Sequence, residues 1–90
     1  LSISGNYPNP FNPSTTIRYG LPEPRNVRMT IVNIKGQQIA ELVSGWKDMG
    51  RHEVVWNGRD DDGSSLSSGI YFVVINDGTN FRTHKVMLLK

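Results

Sequence analysis

Turn-forming residues break this chain about every ten positions, and that spacing constrains the fold more than any other feature. Gly, Pro and Asn/Asp clusters stand at Asn6–Pro13, Pro22–Pro24, Lys35–Gln37, Gly45–Gly50, Asn57–Gly63 and Asn76–Thr79. The stretches between them are too short for ordinary helices and fit strands. No 3.6-residue apolar stripe runs through any of them. Ile39, Leu42 and Val43 come nearest to one, but Gly36 just before them and the neighbouring segments favour a strand. An all-β sandwich or barrel is therefore expected. At 90 residues the chain is one small domain.

The strands can be placed. Thr15–Leu21 presents Ile17, Tyr19 and Leu21 on one face and ends at Pro22 and Pro24. Val27–Ile34 presents Val27, Met29 and Ile31; Val32 and Ile34 then shift phase, which predicts a bulge. Lys35-Gly36-Gln37 turns into Gln38–Val43, and His52–Trp56 follows with Val54 and Trp56 facing inward. Leu66 is placed on a short edge strand. Ile70–Ile75 and Asn80–Leu89 flank the hairpin turn Asn76-Asp77-Gly78-Thr79, whose Asp-Gly supplies the positive φ such turns need. The opening Asn6–Pro13 carries Pro8, Pro10 and Pro13, so it cannot be a central strand. Residues 1–14 are read as an extended, proline-rich lead-in held by Tyr7 and Phe11, and residues 15–90 as the sandwich. The expected core is Tyr7, Ile17, Tyr19, Met29, Ile31, Val54, Trp56, Tyr71 and Val73, with Gly36, Gly58, Gly63, Gly69 and Gly78 in turns.

One segment breaks the alternation that a half-buried strand should show. Ile70-Tyr71-Phe72-Val73-Val74-Ile75 is apolar on both faces, and so is Val86-Met87-Leu88-Leu89. Either loops and the lead-in cover the second face, or it is an interface.

Composition removes several functions. With no Cys there is no disulfide framework, thiolate nucleophile, iron–sulfur cluster or cysteine zinc site. A net charge of +2 is too weak to point to nucleic acid. No apolar run approaches the ~20 residues that span a bilayer, so no transmembrane segment is expected. Apolar residues make up 37%, enough for a core, so disorder is not expected. The opening Leu1-Ser2-Ile3-Ser4 lacks a Met and a basic-then-apolar leader, and reads as part of a module within a longer protein.

Candidate chemistry is thin. His52 and His84 lie on strands without a Gly-x-Ser-x-Gly elbow or a phosphate loop, so no catalytic residue and no cofactor-binding residue is assigned. Asp60-Asp61-Asp62-Gly63 resembles a calcium loop only in part. With Gly63 at position six, Gly58 occupies position one and Gly69 position twelve, so both anchoring carboxylates are missing. An Asp-rich turn bonding its own backbone is the simpler reading, and no metal ligand is assigned. Trp46, flanked by Gly45 and Lys47, is the aromatic best placed for stacking on a sugar, against the plainer role of covering an end of the sandwich. From Thr79 onward the chain carries Arg82, Lys85 and Lys90 and no acid.

Taken in order, the motifs resemble a known family. Asn6-Tyr7-Pro8-Asn9-Pro10-Phe11-Asn12-Pro13-Ser14-Thr15-Thr16-Ile17 looks like the opening of the C-terminal sorting domain of type IX secretion cargo, a family similar to the Ig-like domain of the flagellar hook-capping protein. The likeness continues through Val32–Gly36, Gly50–Asp60, Gly63 and Ser68–Phe72, and ends with Lys85–Lys90. It implies an all-β, Ig-like antiparallel sandwich of about seven strands. It also implies a non-catalytic C-terminal module that directs a larger protein from the periplasm across the outer membrane of a Gram-negative bacterium to the cell surface. The implied partners are the outer-membrane secretion machinery, a sortase-like peptidase that removes the module as the cargo is joined to lipopolysaccharide, and the preceding domain of the parent protein. The positions carried over as the signal are Gly69, Tyr71, Lys85, Val86, Met87, Leu88, Leu89 and Lys90. A signal of this kind should lie on an exposed strand whose backbone another protein can pair. Two other readings stand beside it: a carbohydrate-binding or adhesion module of a polysaccharide-degrading enzyme, and a structural spacer or scaffold as in hook-capping proteins.

Overall fold

The computed structural model describes residues 1–90. It contains no helix, and so none long and apolar enough to cross a membrane. Strands β1 (Ser2–Tyr7), β2 (Thr15–Leu21), β3 (Arg25–Val32), β4 (Gln38–Lys47), β5 (Gly50–Trp56), β6 (Gly69–Asn76) and β7 (Phe81–Leu88) form two antiparallel sheets. One has the order β1-β2-β5, the other β4-β3-β6-β7. This is the expected Ig-like sandwich, with its fourth strand paired to the third instead of completing the first sheet.

Period-two patterning explains the core. Ile17, Tyr19 and Leu21 from β2 face Val27, Met29 and Ile31 from β3 and Tyr71, Val73 and Ile75 from β6, all buried. The outward residues of β2 are polar, and Arg18 bonds Glu53 on β5 at 2.8 Å. The pairing of β3 with β4 shifts register between Met29 and Thr30 and again between Ile31 and Val32, where the change of apolar phase predicts a bulge. Asn33 then closes the turn: its Oδ1 accepts the N–H groups of Lys35 and Gln37, and Ile34 is left 74% exposed.

The structure differs from the sequence reading at several points: β3 stops at Val32, β4 runs on through Gly45 and Trp46 to Lys47 where a break is expected, and Gly69 opens β6 instead of sitting in a turn. Ser2–Tyr7 is a true strand, paired along the edge of β2, although nothing in the composition of the lead-in announces one. Tyr7 is not in the core. Its register partner is Thr16, on the outward face of β2, so the ring is 77% exposed and Phe11, at 1%, takes the buried place. Leu66 lies on no strand; its N–H donates to the Gly58 carbonyl in a loop, and its side chain packs half-buried on the core. Val54 pairs with Ile17 and is also half-buried. Gly36, Gly58, Gly63 and Gly78 sit in turns at φ of 81°, 72°, 82° and 90°.

Candidate functional site

The C-terminal strand meets the lead-in at one end of the sandwich. The segment after β1 runs parallel to the end of β7, where the Phe11 N–H donates to the Met87 carbonyl at 2.9 Å and the Leu89 N–H donates to the Phe11 carbonyl at 3.0 Å. Asn9 Oδ1 accepts the Met87 N–H at 3.0 Å. A residue before proline is biased to extended backbone, so the Asn-Pro-Phe-Asn-Pro alternation suits a strip laid along a strand edge. Below it, the Phe11 ring lies 5.3 Å from Trp56, and Trp56 lies 5.7 Å from Tyr71 edge-on. The Trp56 indole N–H donates to the Arg59 carbonyl, and the Tyr71 hydroxyl donates to the Ser67 carbonyl at 2.7 Å. That last bond, from the start of the sixth strand back to the preceding corner, is the tyrosine corner of Ig-like sandwiches. Burial raises the Tyr71 and Tyr19 phenols above their ordinary range.

The sequence-derived signal residues fall into two sets. Tyr71, Val86 and Leu88 point into the core and are buried. Gly69 opens β6 opposite Leu88. Lys85, Leu89 and Lys90 are exposed and Met87 is half-buried. Lys90 is fastened as well: its backbone N–H donates to Ser68 Oγ and its ammonium to Ser65 Oγ. The expected open backbone edge is therefore absent at Met87–Leu89, because the chain's own Asn9 and Phe11 already pair those groups. Sequence reasoning placed Phe11 against the body but missed this hydrogen bonding; the proline spacing was the available signal.

The remaining candidates have structural partners. His84 Nε2 lies 2.9 Å from Asn6 Oδ1, in a network where Asn6 Nδ2 donates to Thr15 Oγ1 and Thr15 Oγ1 donates to the Pro8 carbonyl. In the three-stranded sheet His52 stacks on its register partner Tyr19, and its Nε2 meets the Asp48 carbonyl at 2.8 Å. Asp60 Oδ1 accepts the N–H groups of Asp62 and Ser64, the Asx turn that the sequence allowed. Asp61 reaches sideways to the outer edge of β4: its Oδ1 accepts the Glu41 N–H, and its own N–H donates to the Ile39 carbonyl. Trp46 is 66% exposed and does not cover an end of the sandwich. At the opposite end, Asp77 Oδ1 accepts the N–H groups of Asn80 and Thr79 at 2.7 and 2.9 Å. The Asn80 bond first, then the Thr79 bond, holds its carboxyl below the usual carboxylate range.

Comparison with known proteins gives two results. Residues 6–89 match the family described as the secretion system C-terminal sorting domain. A solved structure of PorZ, described as an essential bacterial surface component of the type-IX secretion system of human oral-microbiomic Porphyromonas gingivalis, superposes with a TM-score of 0.69 at 21% identity. The superposition covers 99% of this chain and 12% of PorZ, and at that identity the likeness bears on the fold alone. None of the curated proteins compared with the chain matches it.

Proposed function

This chain belongs to the family of secretion system C-terminal sorting domains, and we infer that it marks a larger protein for export across the outer membrane to the cell surface by type IX secretion machinery. The module acts by being recognised and makes or breaks no bond itself. Cleavage by a sortase-like peptidase, with the cargo retained at the surface, is the final step of this reading. One observation carries it: the sorting-domain match runs through the C-terminal strand, and Lys85, Leu89 and Lys90 of that strand and its end stand exposed on a framework that Phe11, Trp56 and Tyr71 make rigid.

The test is a reporter fused ahead of Leu1 in a host that runs this secretion route. Reporter at the cell surface is the expected result; reporter that stays in the periplasm overturns the reading. Deleting Lys85–Lys90 is a poor probe, since it removes Val86 and Leu88 from the core. Replacing exposed Lys85, Leu89 and Lys90 together with Ser leaves the core intact and should abolish surface display.

Glycan binding has one observation in its favour, the exposed Trp46. It stands alone: Phe81 is on the far edge of the same sheet and Tyr7 is on the other sheet, so the three do not form a platform. Affinity for an insoluble glycan that Trp46→Ala removes, with the fold retained, would establish it.

A further inference from the structure

We propose that the outer face of the four-stranded sheet, centred on the cross-strand pair Phe72–Lys85, docks an apolar protein surface carrying a carboxylate opposite Lys85. This rests on the sorting role above and specifies the surface that is read. With Tyr71, Val73 and Ile75 turned inward, Ile70, Phe72 and Val74 stand in a row on the outside of a central strand. Val32 lies beside Phe72 on β3, and Met87 beside Ile70 on β7, so the patch crosses three strands. The equivalent outward positions of the other sheet's central strand are Thr16, Arg18 and Gly20. The other sheet's outward apolar residues, Tyr7 and Val55, stand on its two edge strands with Thr16 between them, so only the four-stranded sheet carries an apolar row along a central strand.

Charge selects the occupant. The ion pairs of the molecule engage Arg18, Arg25 and Arg28, whereas Lys85 has no partner, and the chain from Thr79 onward has no acid to offer it. A surface that covered Phe72 would also desolvate the neighbouring ammonium, which is costly unless a carboxylate meets it. A second copy supplies none. With a two-fold axis along the strands and through the patch, Lys85 faces β6 or β3, which carry no outward acid; with the axis across the strands, it faces the acid-free β7 of the other copy. The occupant is accordingly a different protein, flat and apolar at its centre with an acidic side chain at one margin.

The experiment uses the same reporter fusion, alongside the melting temperature of each variant. Phe72→Asp and Lys85→Glu should each lower surface reporter about tenfold or more, the loss typical of a central contact residue. Lys85→Arg should retain export, and so should Val55→Asp, a charge placed on the exposed β5 of the other sheet. Lys85 is exposed, so its variants carry the test if Phe72→Asp does not fold. Surface display within about twofold of the parent for folded Lys85→Glu overturns the proposal while leaving the sorting role standing. A parent fusion that never leaves the periplasm overturns the sorting role and the proposal with it. Concentration-dependent dimers in sedimentation that Phe72→Asp dissolves, with export unchanged, would assign the face to a second copy and likewise overturn the proposal.

Discussion

The hydroxyl of Tyr71 shows how a residue that reads as signal in sequence can be scaffold in space. Its bond to the Ser67 carbonyl ties the corner before β6 to the core. Tyr71→Phe should cost about 0.5–1.5 kcal/mol in urea unfolding while leaving the fold unchanged, the net value of one such hydrogen bond. Gly58 is more demanding. Its φ is 72°, and an added Cβ would lie 3.3 Å from the Pro13 carbonyl and 3.4 Å from Leu88 Cδ1. Gly58→Ala should therefore destabilise by more than about 1 kcal/mol, again read by urea unfolding. Asp77 gives a pH signature. Its carboxylate is held below the usual range by two backbone N–H donors, whereas the unfolded carboxyl titrates near ~3.9. The unfolded chain takes up its proton first as pH falls, so the stabilisation is complete above that value and disappears as pH drops through the folded one. The stability difference between wild type and Asp77→Asn should be greatest above about pH 5 and shrink below about pH 4, measured as urea midpoints across that range. Asp77-Gly78 was legible as a hairpin turn; the depth of Gly58 was not, because its neighbours come from Pro13 and Leu88, far away in the chain.

At the scale of elements, alternation carried most of the information. Thr15–Leu21 was readable because a period of two has few other interpretations, and Ile70–Ile75 because a short branched and aromatic run between turn signals fits a strand. β1 was not, because Ser2-Ile3-Ser4-Gly5-Asn6-Tyr7 is small and polar and becomes a strand only through the open edge of β2. Tyr7 and Phe11 illustrate the same limit. Both are aromatic residues in a proline-rich run, and only the pairing of Tyr7 with Thr16 decides which one faces water. The strip over β7 makes its own prediction. Phe11→Ala removes the ring that packs on Trp56 and should cost about 3–5 kcal/mol, enough to leave so small a domain largely unfolded. Asn9→Ala leaves the core alone and removes the acceptor for the Met87 N–H. Hydrogen exchange should then quicken at Met87 while the amides between β3 and β6 keep their protection.

For the whole molecule, the sandwich and its family were both legible. The all-β class followed from evenly spaced breakers, and the Ig-like sandwich and the sorting family from the resemblance carried by motifs spread in order along the chain. The candidate surface was legible only as a contradiction, a strand with two apolar faces; locating the exposed one needed the partners of β6. Both outer edges of the larger sheet are closed at the same end, β4 by Asp61 and β7 by Phe11 and Asn9. Such closure hinders strand addition from a neighbouring chain. It also determines how the domain resists tension. A pull on Lys90 along the axis of β7 loads the bonds to β6 and those to Phe11 in shear, so they must fail together and cannot open one at a time. Machinery that grips the last residues and draws on them would tow the domain as a folded body before it could unthread it.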